Sequence, residues 1–203
     1  MSKPKILQEG QSYTFRSYFE MPYEADEILA ELGYTFRKAR LQLPKSDRLL
    51  TQLPELKQRL EDTLLLIGLS SEAARREALV FPVLLEVARF CQCQIRIEYP
   101  LSVNNWLKGN LDYLLRRERS LLIVEAKNED LSRGFIQLAA EAIALAQAEE
   151  QDILYGAVTI GNVWNFAMLD ARQGKIWQDI TLYRVPDDLE ELTSSLMGIV
   201  GNG

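Results

Sequence analysis

From residue 70 onward, apolar and polar positions sort into segments of two periods. Gln94 to Tyr99 (Gln-Ile-Arg-Ile-Glu-Tyr) alternates in a period of two and predicts a strand with one buried face. Leu111–Leu115 and Leu121–Ala126 predict two more strands, and the β-branched run Ile153–Ile160 predicts a buried one. Val163–Leu169 and Lys175–Tyr183 predict a hairpin joined at Arg172-Gln173-Gly174. Helical spacing lies between these strands. Ser70 or Ser71 caps a predicted helix running to about Phe90, with Glu72 in its first turn and a bend at Pro82. Asp130 or Ser132 starts a long helix to about Glu149, rich in alanine, leucine and glutamate. Pro186 opens a C-terminal helix ending near Val200.

The N-terminal third is less regular. Tyr13–Phe19 alternates as a strand does. Glu24–Leu32 has helical spacing with Gly33 as its stop, Phe36–Leu43 predicts a strand, and Glu55–Leu66 predicts a helix after Pro54. Two regions follow from this contrast: residues 1–69, an α+β appendage with no assigned chemistry, and residues 70–203, an α/β domain. The order from residue 70 is helix, three strands, helix, strand, hairpin, helix. It predicts a mixed central sheet flanked by helices, with a helical crossover after the third strand.

Composition narrows the chemistry. The 203 residues contain no histidine, which excludes Ser-His-Asp and Cys-His catalysis and histidine metal sites. Cys91 and Cys93 form a CxC pair without a second pair, so they are expected as packing at a helix-to-strand junction and not as zinc ligands. Chemistry is left to carboxylates, lysine, hydroxyls or a bound ion, and oxygen-rich sites suit magnesium, manganese or calcium. No Gly-rich phosphate loop is present. No apolar run reaches the roughly 20 residues that span a bilayer, and Met1-Ser2-Lys3-Pro4-Lys5 lacks the apolar stretch of a secretory signal. A soluble, cytoplasmic protein with no membrane partner is the expectation. The net charge of −6 is uneven: residues 1–71 are neutral, 72–120 carry +2 and 121–203 carry −8. The least acidic stretch therefore leads into the residues considered next.

Arg116 to Ser120 separates two predicted strands, so these should pair as an antiparallel hairpin. If the turn centres between Glu118 and Arg119, the numbers of opposed residues sum to 237, and Asp112 faces Glu125. Directly opposed side chains have Cβ atoms about 4.5–5.5 Å apart. Lys127 shares the face of Glu125, while Leu122, Val124 and Ala126 point the other way, into the core. Two opposed carboxylates repel unless a positive group sits between them. A divalent cation would remove that repulsion and Lys127 would lower it, an arrangement suited to metal-assisted phosphodiester hydrolysis.

Gly109-Asn110-Leu111-Asp112-Tyr113, an apolar strand, then Val124-Glu125-Ala126-Lys127, resembles the PD-(D/E)XK nuclease superfamily over about residues 70–160. Leu111 stands where the family usually has proline. The resemblance implies a restriction-endonuclease-like fold, Asp112 and Glu125 as ligands of Mg2+ (or Mn2+), and Lys127 beside the attacking water. It also implies a glutamate on the helix before the sheet. Glu77 and Glu86 are nine residues apart, about 900° of helix, so only one faces the site, and Glu77, near the helix start, is preferred. Gln137 in Gln137-Leu-Ala-Ala-Glu141 resembles the family's glutamine-bearing motif, with Glu141 on the same helix face. Arg75, Arg76, Lys108, Arg116, Arg117 and Arg119 are candidates for backbone phosphates, and Trp106 for stacking on a base, with packing as its alternative. The expected function is a magnesium-dependent deoxyribonuclease, with a nucleic acid, DNA, as the expected partner and a homodimer as the candidate assembly. The alternative, drawn from the acidic balance, is a catalytically silent protein of the same fold that serves as a binding or regulatory subunit.

Overall fold

A computed structural model describes residues 5–201; the polar start at Met1–Pro4 lies outside the described residues. The chain is α/β, with one mixed seven-stranded sheet in the order β1-β7-β6-β5-β4-β3-β2. The strands are β1 (Thr35–Ala39), β2 (Gln94–Ser102), β3 (Lys108–Arg117), β4 (Ser120–Ala126), β5 (Ile153–Thr159), β6 (Val163–Asp170) and β7 (Lys175–Arg184). The pairs β1–β7 and β4–β5 are parallel and the rest antiparallel. Among the described residues no helix is long and apolar enough to cross a membrane.

The central strands bury both faces. Leu122, Val124 and Ala126 of β4 join one core. That core also takes in α3 (Leu53–Leu66), α5 (Phe81–Cys91) and α7 (Leu189–Gly201). Leu121 and Ile123 enter a second core with α1 (Phe15–Glu20), α2 (Ala25–Glu31) and α6 (Leu131–Glu149). Helix α6 makes the crossover between β4 and β5. Its residues Gly134 to Ala146 are all buried, because sheet, α1 and α2 cover it on successive sides. Asp130 caps it, its carboxylate accepting the Arg133 amide at 3.0 Å.

Two expectations from the sequence pattern need correction. Tyr13–Phe19 was expected as a strand, but Phe15–Glu20 is the helix α1. The i,i+3 pair Phe15 and Tyr18 prevails over the alternation: both are buried, and Ser17 Oγ accepts the Thr14 amide at 3.0 Å at the helix start. The helix expected from Ser71 to Phe90 is divided. Helix α4 (Glu72–Arg75), capped by Ser71, passes into a π-helical turn, Arg76–Val80, before α5. Pro82 has no amide to bond the preceding turn, and the Phe81 amide reaches back five residues to the Arg76 carbonyl.

The N-terminal region is joined to the sheet. Strand β1 pairs with β7 at the sheet edge, and α1 packs on α6 and β3. Gly109 of β3 makes this approach possible, since a Cβ there would lie 2.8 Å from the Phe15 ring. Helix α7 starts at Leu189, three residues beyond Pro186, after a turn in which Asp188 accepts the Arg184 amide at 2.8 Å.

Candidate active site

Strands β3 and β4 pair in the register Tyr113↔Val124, Leu114↔Ile123, Leu115↔Leu122, as the expected turn requires. Pairing stops one step short of Asp112 and Glu125. There Asp112 Oδ2 accepts the Ala126 amide at 2.8 Å, so a side chain takes the place of a backbone partner. Strand β4 ends here while β3 runs on beside β2, and a cleft of about 570 Å3 opens at this point.

Asp112, Glu125, Lys127 and Gln137 all line that cleft. Lys127 Nζ lies 2.5 Å from Glu125 Oε1. Gln137 Nε2 donates to the same oxygen at 2.6 Å and to Glu141 Oε1 at 2.9 Å. Helix α6 thus lays Gln137 and Glu141, one turn apart, over the end of β4. The Lys127 stem passes against Gly134, where a Cβ would sit 2.9 Å from Lys127 Cγ. The Lys127 ammonium also stands 5.2 Å from the centre of the Phe19 ring on α1.

The electrostatics are those of buried charge. Glu125 is 1% exposed and Glu141 0%. Burial, and then the charge of Asp112, push the Glu125 carboxyl up to about 8, against the pull of Lys127. Burial and Glu125 raise Glu141 well above the usual carboxylate range. Burial raises Asp112 too, opposed by the Ala126 amide, Arg76 and Lys127. Burial pulls Lys127 down, but Glu125, Glu72 and Asp112 together outweigh it and the ammonium titrates higher than usual. Glu125 Oε2, Glu141 Oε2 and Gln137 Oε1 are buried and face no hydrogen-bond donor, although the Glu125 and Glu141 carboxyls lie close enough to share a proton. Unpaired buried oxygens of this kind are costly, about 1–3 kcal/mol each or more when charged.

Glu77 does not reach this cleft. It is exposed and lines a separate cavity with Ala73, Phe81, Ile97 and Tyr113. Glu72 lines the cleft instead, near enough to bear on both Asp112 and Lys127. The π-helical turn invalidates a uniform 100° count between Glu77 and Glu86. Glu72 and Arg76, four residues apart, share the cleft face, and Glu77 follows one step around. Glu86 is buried and paired with Arg59 at 3.1 Å and Arg89 at 3.4 Å. Nothing in the residue spacing marks Glu72; only its place as the first-turn acid singles it out.

The basic candidates separate. Arg76 enters the cleft, 3.2 Å from Asp112 Oδ1 and 2.6 Å from Glu98 Oε1. Arg75 instead ties the loop after β4, donating to Asn128 Oδ1 at 3.1 Å and the Ile160 carbonyl at 2.9 Å. Arg116 pairs with Glu149, and Arg117 donates to the Gly201 carbonyl at 3.1 Å. Together with exposed Arg119 they sit at the far end of the β3–β4 hairpin. A strand rises about 3.3 Å per residue, so these three do not converge on Asp112. Lys108 is half-buried on β3 and is not among the lining residues. Trp106 packs against the second core, its carbonyl accepting the Tyr18 hydroxyl at 2.7 Å. Cys91 and Cys93 are free thiols at the α5–β2 junction. Residues 1–69 supply a wall that sequence reasoning missed: Thr14, Phe15, Arg16 and Phe19 of the α1 region.

As a cation site the donor set is all oxygen: Asp112 in the middle of β3 and Glu125 near the end of β4, with Glu72 nearby. The buried, unpartnered Glu125 Oε2 is the feature that fits a cation. Among the described residues no group of three or more acidic, cysteine or histidine side chains is gathered closely enough to hold a metal ion by itself. The rest of a coordination shell would fall to main-chain oxygen, water or phosphate, as is usual for magnesium. No protein-family model matches the chain, and no curated protein matches it significantly.

Proposed function

We propose that this protein is a metal-dependent nuclease of restriction-endonuclease-like fold that hydrolyses DNA phosphodiester bonds. The observation that carries the reading is the meeting of Asp112, Glu125 and Lys127 in one cleft, with Lys127 Nζ 2.5 Å from Glu125 Oε1. Asp112 and Glu125 would hold a Mg2+ or Mn2+ ion, with Glu72 as a third acid within reach. When bound, such an ion supplies Lewis acidity and lowers the pKa of water. Lys127 orients the attacking water and stabilises the charge gathering on the phosphate oxygens. Gln137 fixes the Glu125 carboxylate from above through its 2.6 Å hydrogen bond. The test is cleavage of duplex, single-stranded and branched DNA with and without Mg2+. Cation-dependent cutting that falls at least about a hundredfold in Lys127→Ala supports the reading. An inert, folded wild-type protein on all three substrates overturns it.

A catalytically silent binding subunit is the second reading. It is favoured by Arg76, which already neutralises Asp112 at 3.2 Å, and by the raised carboxyls of Glu125 and Glu141. It predicts no change in Tm on adding Mg2+, whereas a ligand that binds the native state raises Tm.

A further inference from the structure

Arg76 stands where a cation would be expected. Its side chain is only 18% exposed and its guanidinium spans two carboxylates, Glu98 Oε1 at 2.6 Å and Asp112 Oδ1 at 3.2 Å. The same guanidinium carbon lies 5.2 Å from the Tyr113 ring centre. The backbone beneath it is the π-helical turn, the one break in an otherwise continuous helical path from Ser71 to Cys91. Its two ion pairs are unequal. The shorter, to Glu98, involves a half-exposed carboxylate on edge strand β2, and the longer involves the buried Asp112. A guanidinium held this way can leave Asp112 and keep its bond to Glu98. Glu125 Oε2, buried and unpartnered beside the same cleft, shows that Arg76 does not satisfy the whole cluster.

We propose that Arg76 is an internal counter-ion that competes with the divalent cation for Asp112, and that Glu98 is the seat it keeps when the cation enters. This inference rests on the cation-site reading given above. Arg76 thereby acts as a positioning residue: it holds Asp112 in place against the Ala126 amide without metal, and it sets the cation affinity of the cleft. Two carboxylates with no counter-ion would repel. With Arg76 in place the metal-free site is held together, and binding exchanges one cation for another.

Mn2+ titration followed by electron paramagnetic resonance, on the full chain, tests this. Three proteins are compared: wild type, Arg76→Met and Arg16→Met. Arg16 lines the same cleft and forms its ion pair with exposed Glu20, with Glu72 as a weaker influence, so Arg16→Met removes an equal charge that is not paired with Asp112. The expected result is Mn2+ affinity about tenfold or more higher in Arg76→Met than in wild type, and within about threefold of wild type in Arg16→Met. Glu98→Gln, which removes the second seat, should weaken Mn2+ binding. If wild type binds Mn2+ and the two arginine variants shift its affinity equally, the competition is refuted while the cation site stands. If neither wild type nor Arg76→Met binds Mn2+, both inferences fall. Arg76→Gln, with circular dichroism as the check on folding, serves if the methionine variant does not fold.

Discussion

The β6–β7 hairpin buries Asn165 and Asp179, and the β3–β4 hairpin buries Asp112 and Glu125. At β6–β7 the polar atoms mostly bond to backbone. Asn165 Nδ2 donates to the Asp179 and Thr181 carbonyls at 2.8 and 3.0 Å, and Asp179 Oδ1 accepts the Leu41 and Thr181 amides. These bonds lie beside the register shift between Asn165 and Ala167 and tie β1's exit to β7. At β3–β4 only one bond reaches backbone, from the Ala126 amide to Asp112. The rest join side chain to side chain, and three oxygens stay unpartnered around an open cleft. The sheet-repairing polar groups at β6–β7 find most of their partners within the fold, with Asp179 Oδ2 left over. At β3–β4 more of the bonding capacity stays unmet, and it does so beside a cleft.

Paired substitutions should separate the two hairpins, and here the largest effects are expected. Asp112→Asn should lower DNA cleavage at least about a hundredfold while changing stability little. Asn165→Ala should leave cleavage unchanged and destabilise by about 1–3 kcal/mol, read as a fall in Tm of roughly 2–10 °C. Loss of cleavage in both variants, in proportion to stability, would erase the distinction.

The next effect is on pH. Glu125 and Glu141 titrate higher in the folded chain than when unfolded. The native state therefore binds more protons than the unfolded state above the ordinary carboxylate range, and stability falls as pH rises. For Glu125 the fall runs from about 4.5 to about 8. Metal-free protein should lose at least ~5 °C of Tm between pH 5 and 8, measured by calorimetry, and Glu141→Gln should remove much of that loss. A flat profile would mean these carboxyls are not held as described.

A smaller effect belongs to Gly134. In Gly134→Ala the new Cβ would crowd Lys127 Cγ and Val158 Cγ2. Cleavage should drop several-fold with about 1 kcal/mol lost in stability. At the far end of the hairpin, Arg119→Ala should change cleavage by less than about twofold.

The faces of the β3–β4 hairpin were legible through alternation, but its register rested on placing the turn centre between Glu118 and Arg119, which no glycine or asparagine in the connection fixes. The long helix α6 was legible through sustained helical spacing after Asp130. Tyr13–Phe19 was not, because seven residues hold both a period-two set (Tyr13, Phe15, Phe19) and an i,i+3 pair (Phe15, Tyr18), and the pattern alone does not choose between them. Glu72 was not singled out because the resemblance places its glutamate near the helix start, which drew the preference to Glu77, and no spacing marks Glu72. Arg76 was legible only as a surface cation. Its approach to Asp112 depends on how the α4 end crosses the sheet, which no local pattern encodes. The wall made by Phe15 and Phe19 depends likewise on a docking that Gly109 permits but does not announce.

A crystal of the full chain soaked in Mn2+ decides whether the cleft holds a cation, through anomalous density between Asp112 of β3 and the end of β4. The account predicts a peak bound by both Asp112 and Glu125, with the Arg76 guanidinium withdrawn to Glu98 and Lys127 still beside the site. No peak there at saturating Mn2+, with Arg76 unmoved on Asp112, would contradict it.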